Sequence, residues 1–173
     1  GPCEVRGKRL LDLGTGSGAL GVYFAHTEWK NEVFMSDVAP EAVASAKRNL
    51  LRNRRVATVV EADLFEHPTL AQRYDIILFN YPLWQKDIEV AEEIVACDPG
   101  GRLFDRFLAA LPQHIHQQSE VYLTYSNHTG VDLPTAVASQ GLSATLCFKQ
   151  GHPFEKQLWR LANSCTAVPP VEL

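Results

Sequence analysis

Arg9-Leu10-Leu11-Asp12-Leu13-Gly14-Thr15-Gly16-Ser17-Gly18-Ala19-Leu20 is the stretch around which this 173-residue chain is organised. An apolar strand, Arg9–Leu13, runs into a glycine-rich turn, and the turn opens a helix. Glycines at alternate positions let the backbone take positive φ and leave room for a ligand to lie against it. The following A-L-G-V-Y-F-A, residues 19–25, is suited to pack a helix back onto the strand. A doubly wound α/β fold begins its ligand crevice in this way. A bare strand-to-helix turn needs one glycine, and here there are three.

Two ligand classes use such a turn. A dinucleotide takes G-x-G-x-x-G or G-x-G-x-x-A, and Gly14, Gly16 and Ala19 satisfy the looser form. Asp12 decides between the classes. A carboxylate two residues before the first glycine repels a pyrophosphate and attracts a ligand that carries an ammonium and a sulfonium, as S-adenosylmethionine (SAM) does. The run D-L-G-T-G-S-G, residues 12–18, resembles motif I of class I SAM-dependent methyltransferases. That resemblance implies that Asp12, Gly14, Thr15, Gly16 and Gly18 hold SAM.

Bulk composition narrows the rest. The length suits one domain with a full core, so 1–173 is read as a single methyltransferase domain. Gly1-Pro2 reads as a protease scar from an expression tag, which suggests that an upstream segment was trimmed, and 166–173 reads as a linker-like tail. No apolar run is long enough to span a membrane and no signal peptide is visible. A net charge of −4 disfavours a grip on a phosphate backbone by this domain alone. Cys3, Cys97, Cys147 and Cys165 are scattered without a C-x-x-C pair, which points to reduced thiols in a cytoplasmic protein. No cluster has metal-ligand spacing, so no metal is expected. His114 and His116, two apart on an expected helix, face different ways.

Strands and helices alternate along the chain. Strands are expected at 9–13, 31–37, 56–61, 74–79 and 120–125, with a closing antiparallel hairpin of 142–149 and 154–161. Helices are expected at 17–26, 41–51 with Pro40 as a first helical position, 85–96, 102–117 with a kink or division at Pro112, and 134–140, and a short helical turn at 70–73. Alternation implies a parallel sheet covered by helices on both faces. The resemblance adds the strand order: a Rossmann-like, doubly wound, mostly parallel seven-stranded sheet whose last strand inserts antiparallel.

In such sheets the ligand lies outside the carboxyl ends of the strands. Asp37 ends the second strand about 20 residues beyond the turn, where a carboxylate accepts both ribose hydroxyls. Val38 is then expected beside the adenine. Asp63 follows the third strand; the resemblance implies that it meets the adenine amino group, with the Leu64 amide nearby. Taken alone, each carboxylate also fits a helix cap or turn; together with the glycines they favour ligand binding.

The fourth strand ends in Phe79-Asn80-Tyr81-Pro82-Leu83-Trp84. This resembles the N-P-P-Y motif of the amino-methyltransferases, which include the HemK-like release-factor glutamine methyltransferases and rRNA and DNA amine methyltransferases of the small-domain group. Tyr81 replaces the first proline and Leu83 the aromatic, while Asn80 and Pro82 are kept. The resemblance implies catalytic roles for Asn80, Tyr81 and Pro82. The Asn80 oxygen and the Tyr81 carbonyl accept hydrogen bonds from a planar NH₂ group, Pro82 stiffens the turn, and Tyr81 or Trp84 walls the substrate plane. Asn80 also borders the cofactor. Asp98-Pro99-Gly100-Gly101 is a shorter likeness to the G-G-x-D-G-L segment of the same enzymes. Ser126, Asn127 and His128 read as a polar loop.

The expected function is SAM-dependent N-methylation of an amide or amine in a protein or small molecule. A nucleic-acid base is the alternative acceptor, with an NAD(P)-dependent oxidoreductase or a non-catalytic SAM-fold subunit as rivals from other classes.

Overall fold

A computed structural model describes residues 5–82, 97–126, 132–151 and 155–164. Leu83, Trp84, the expected helix 85–96, Asn127, His128, Cys3, Cys165 and the expected scar and tail lie outside these residues. The fold is a seven-stranded mixed α/β sheet with helices, the Rossmann-like class expected. The chain divides into two compact units, Gly1–Phe79 and Asn80–Leu173.

The first unit contains strands β1 (Arg9–Leu13), β2 (Glu32–Asp37), β3 (Thr58–Glu61) and most of β4 (Tyr74–Asn80), and helices α1 (Ala19–Phe24) and α2 (Pro40–Arg52). Its strands lie in the order β3-β2-β1-β4 and all pairs are parallel. Leu10, Leu11 and Leu13 of β1 and Ile76, Ile77 and Phe79 of β4 are buried, as strands covered on both faces require. α2 buries Val43, Ala46 and Leu50 along one stripe and begins at Pro40, as its pattern predicts.

α1 is shorter than the expected 17–26. Gly16 and Gly18 take φ of 55° and 84°, outside the helical region, so no helix can start before Ala19. The expected turn at 70–73 lies earlier, at Pro68–Leu70, where Pro68 presets the first dihedral and His67 Nδ1 accepts the Thr69 amide at 3.1 Å.

The second unit contains α3 (Arg102–His114), β5 (Ile115–Ser126), α4 (Leu133–Ala138), β6 (Leu142–Gln150) and β7 (Lys156–Asn163). Its strands lie in the order β5-β7-β6, both pairs antiparallel, so the last strand of the chain is the inserted one. α3 stops three residues short of the expected 117 and is not divided at Pro112. The missing proline N–H costs one bond near the end of the helix, and β5 takes over at once. Ser119 Oγ accepts the His116 amide at 2.8 Å and Asn163 of β7 donates to the His116 carbonyl at 2.9 Å. His114 therefore ends a helix and His116 sits in a strand, contrary to the shared helix expected of them. Phe104, Phe107 and Leu111 of α3 are buried, as are Leu123 and Tyr125 of β5 and Leu161 of β7. Among the described residues no helix is long and apolar enough to cross a membrane.

Candidate functional site

The glycine turn is built by hydrogen bonds to the end of the neighbouring strand. Parallel pairing of Leu13 with Ser36 brings the carboxyl ends of β1 and β2 level. The chain leaving β1 then crosses β2: the Thr15 amide donates to the Ser36 carbonyl at 2.9 Å, and the Gly16 amide donates to Asp37 Oδ2 at 2.8 Å. Gly14, Gly16 and Gly18 take φ of 66°, 55° and 84°. A Cβ on Gly16 meets no atom within 4 Å, so this side of the loop is open to a ligand. A Cβ on Gly18 lies 2.8 Å from Met35 Cε and 3.0 Å from Ala46 Cα, so this glycine serves packing.

Asp12 is 3% exposed. Its Oδ2 accepts from the Thr15 hydroxyl at 2.6 Å and from the Gly21 amide at 2.9 Å, which ties the turn to α1. Burial pushes its carboxyl above the usual range, against the pull of these two bonds, and the nearby Asp37 charge adds to the rise. The folded state therefore holds a proton at pH values where the unfolded chain has lost it. Between the unfolded and the raised folded pKa this group adds stability as pH falls, and its cost is full above the folded value. The unfolding free energy of wild type relative to Asp12→Asn is expected to shift in favour of wild type as pH falls from 7 to 4. Denaturant titrations measure this, and a drift the other way contradicts it.

Asp37 ends β2 with both oxygens placed. Oδ2 holds Gly16, and Oδ1 accepts the Ala39 amide at 3.0 Å. An ionised carboxylate offers about four acceptor directions, so about two remain for further hydroxyl donors. Val38 beside it is 57% exposed, an apolar surface next to a carboxylate. Asp37 pairs with Glu61 of β3, and the Ala62 amide donates to the Asp37 carbonyl at 2.9 Å. Asp63, one residue on, is thus brought to the same end of the unit as Asp12 and Asp37. Leu64 takes φ of 50° while its side chain is buried, a left-handed conformation that costs a non-glycine residue about 1–2 kcal/mol. Three carboxylates at the ends of three adjacent strands, around a loop with an open glycine, form an acceptor set of the kind the ammonium, ribose hydroxyls and adenine amine of SAM call for.

In the second unit the expected acceptor motif is partly a packing device. Asn80 is exposed at the end of β4, and Tyr81 and Pro82 are buried. The Tyr81 ring stacks on Tyr125, with centroids 5.4 Å apart, and meets Phe104 edge-on at 5.5 Å. Its hydroxyl donates to Asp98 Oδ2 at 2.6 Å. Asp98 also accepts the Leu103 and Phe104 amides, at 2.9 and 3.0 Å, and so caps the start of α3. A ring that is 1% exposed is not a wall for an acceptor plane, which corrects that expectation for Tyr81. The other candidate wall, Trp84, lies outside the described residues. Asn80 Oδ1 accepts from the Thr124 hydroxyl at 2.6 Å.

Sequence reasoning missed three of these residues. Gly21 has a legible signal, a further glycine three positions after Gly18; a Cβ there lies 2.6 Å from Met35 Sδ. Asp98 carries a signal only as part of a glycine-rich likeness. Thr124 has no local signal, because its partner is 44 residues away. Among the described residues no group of three His, Cys, Asp or Glu is arranged to hold a metal ion.

Residues 3–130 match the Methyltransferase small domain family. The ribosomal RNA small subunit methyltransferase C of Actinobacillus succinogenes is 37% identical over 79 residues, which is 46% of this chain and 23% of that protein. The release factor glutamine methyltransferase of Flavobacterium psychrophilum is 29% identical over 103 residues, 58% of this chain and 36% of that protein. The chain thus spans roughly a quarter to a third of the length of these relatives. The Thermus thermophilus 16S rRNA N2 G1207 methyltransferase, solved with AdoMet and guanosine, superposes with a TM-score of 0.70 at 20% identity. That likeness covers 91% of this chain and 38% of the other, and it shows the fold.

Proposed function

The chain belongs to the Methyltransferase small domain family, and from that premise we propose that it transfers the methyl group of SAM to a planar exocyclic NH₂ nitrogen. The observation that carries this reading is Asn80, exposed at the end of β4 with its side-chain oxygen fixed as an acceptor. A planar NH₂ presents two N–H donors. Asn80 Oδ1 accepts one and the Tyr81 carbonyl the other, which fixes the amine plane and so aims the nitrogen lone pair that stands perpendicular to it. Buried Pro82 and the anchored Tyr81 ring hold the backbone of the turn still. Orientation of this kind supplies much of the rate in a transfer that needs no strong base: the thioether S-adenosylhomocysteine is the leaving group, and the methylated nitrogen, cationic at first, loses its extra proton to water.

When bound, SAM supplies a methyl group already activated by its sulfonium. Asp12, Gly14, Thr15, Gly16, Gly18, Asp37, Val38, Asp63 and Leu64 are the residues proposed to hold it. Asp37 accepts from the ribose while keeping Gly16 in place. Asp37→Ala is expected to weaken SAM binding by about 1–3 kcal/mol, through lost charge-assisted bonds and a loosened turn. Calorimetry on the folded variant measures this, and unchanged affinity removes Asp37 from the site.

Two acceptor classes share the NH₂ chemistry, and the activities for which the relatives are named support both: a guanine amine of rRNA and a glutamine amide of a release factor. The net charge of −4 favours the amide, because a phosphate backbone binds best to a basic domain. Labelled methyl transfer from SAM into unmodified release factor, with unmodified rRNA in parallel, tests the reading. Incorporation into the protein is expected, incorporation into RNA alone moves the acceptor to the base amine, and none into either contradicts the proposal.

A further inference from the structure

The proposed function places a demand on Asn80 that its own backbone does not meet. The side chain stands exposed at a strand end, and its terminal torsion is broad and roughly two-fold. One orientation offers an acceptor oxygen to the incoming NH₂. The other offers a second NH₂, and two donors cannot bond. Half of the rotational range is therefore useless for the reaction.

We propose that Thr124 is the positioning residue that restrains this torsion, tethering the Asn80 amide through its oxygen. Its hydroxyl donates to Asn80 Oδ1 at 2.6 Å, a short contact even for an O–H···O bond. A carbonyl-type oxygen accepts in two directions, so Thr124 occupies one and leaves the other for the acceptor amine. The strand sets the donor. Leu123 and Tyr125 are buried, so Thr124 between them projects to the opposite face of β5. Its register is fixed opposite Leu158 of β7. Threonine is stiff at its first torsion, which limits where its hydroxyl can stand.

The inference rests on the proposed acceptor chemistry, and its test separates the two. Thr124→Val keeps shape and removes the hydroxyl; Thr124→Ser keeps the hydroxyl. In ¹⁵N-labelled protein without any ligand, the Asn80 side-chain NH₂ resonances are expected to report a restricted amide in wild type and Thr124→Ser, and an averaged one in Thr124→Val. With the release factor or rRNA probe, whichever wild type methylates, Thr124→Val is expected to lower kcat about 10–100-fold at unchanged KM for SAM, with Thr124→Ser retaining most activity. In an Asn80→Ala background the valine substitution is expected to add no further loss. An Asn80 amide equally restricted in Thr124→Val overturns the role of Thr124, as does a loss that persists in the Asn80→Ala background. Both results leave the proposed function standing. An Asn80→Ala variant with normal turnover overturns the function itself, and the inference falls with it.

Discussion

Asn80→Ala is expected to lower turnover by about two to four orders of magnitude while SAM affinity changes by no more than about twofold. The asymmetry follows from the division of labour. The proposed cofactor ligands are Asp12, Asp37, Asp63 and the glycine turn, which keep their bonds when Asn80 is cut back. The acceptor loses the oxygen that selects one rotation of its NH₂ and turns the lone pair for attack. Asn80→Asp keeps an oxygen at the same place and is expected to retain more activity than alanine. Steady-state kinetics on the methylated probe, with calorimetry for SAM, separates the two effects. Normal turnover by Asn80→Ala reduces the motif to a strand-ending turn and makes an oxygen, sulfur or carbon acceptor the better hypothesis.

The largest effect on stability is expected at Gly18. Two penalties coincide there. Its φ of 84° lies in the left-handed region, which costs an alanine about 1–2 kcal/mol. The new methyl sits 2.8 Å from Met35 Cε and 3.0 Å from the backbone of Ala46, and such overpacking costs about 1–3 kcal/mol more. Met35 is flexible at its tip, but Ala46 Cα is part of α2 and cannot step aside. Gly18→Ala is therefore expected to lose about 2–5 kcal/mol in urea titration. Gly16→Ala is the internal control. Its φ is 55° and its methyl faces open space, so it pays the backbone penalty alone, about 1–2 kcal/mol. Equal losses at the two positions contradict the packing role given to Gly18.

The contrast between these glycines shows where sequence reading stops. Three glycines after an acidic strand end are visible in the chain, and so is the crevice they imply. Which glycine faces open space and which faces Met35 depends on how α1 meets β2 and α2, and no local pattern carries that. The alternating elements were legible for the same reason that Asp37 was: the apolar period of each strand marks its end. The run 115–117 misled because I-H-Q continues a helical pattern, while Ser119 and Asn163 hold it in β5. Tyr81 misled in another way. An aromatic in a catalytic motif reads as a substrate wall, yet Asp98, seventeen residues on, takes its hydroxyl into the core. Asp98 thereby gives its short glycine-rich likeness a physical role as the anchor of the turn after Asn80.

The central claim is that the new bond is made to nitrogen. Its most direct test is the chemical identity of the methylated product. Wild-type protein is incubated with isotopically labelled SAM and unmodified release factor or rRNA, the product is digested to single residues or nucleosides, and the labelled species is fragmented in a mass spectrometer. The account predicts the label on the amide nitrogen of glutamine or on the exocyclic amine of a base. A label on oxygen, sulfur or carbon contradicts it.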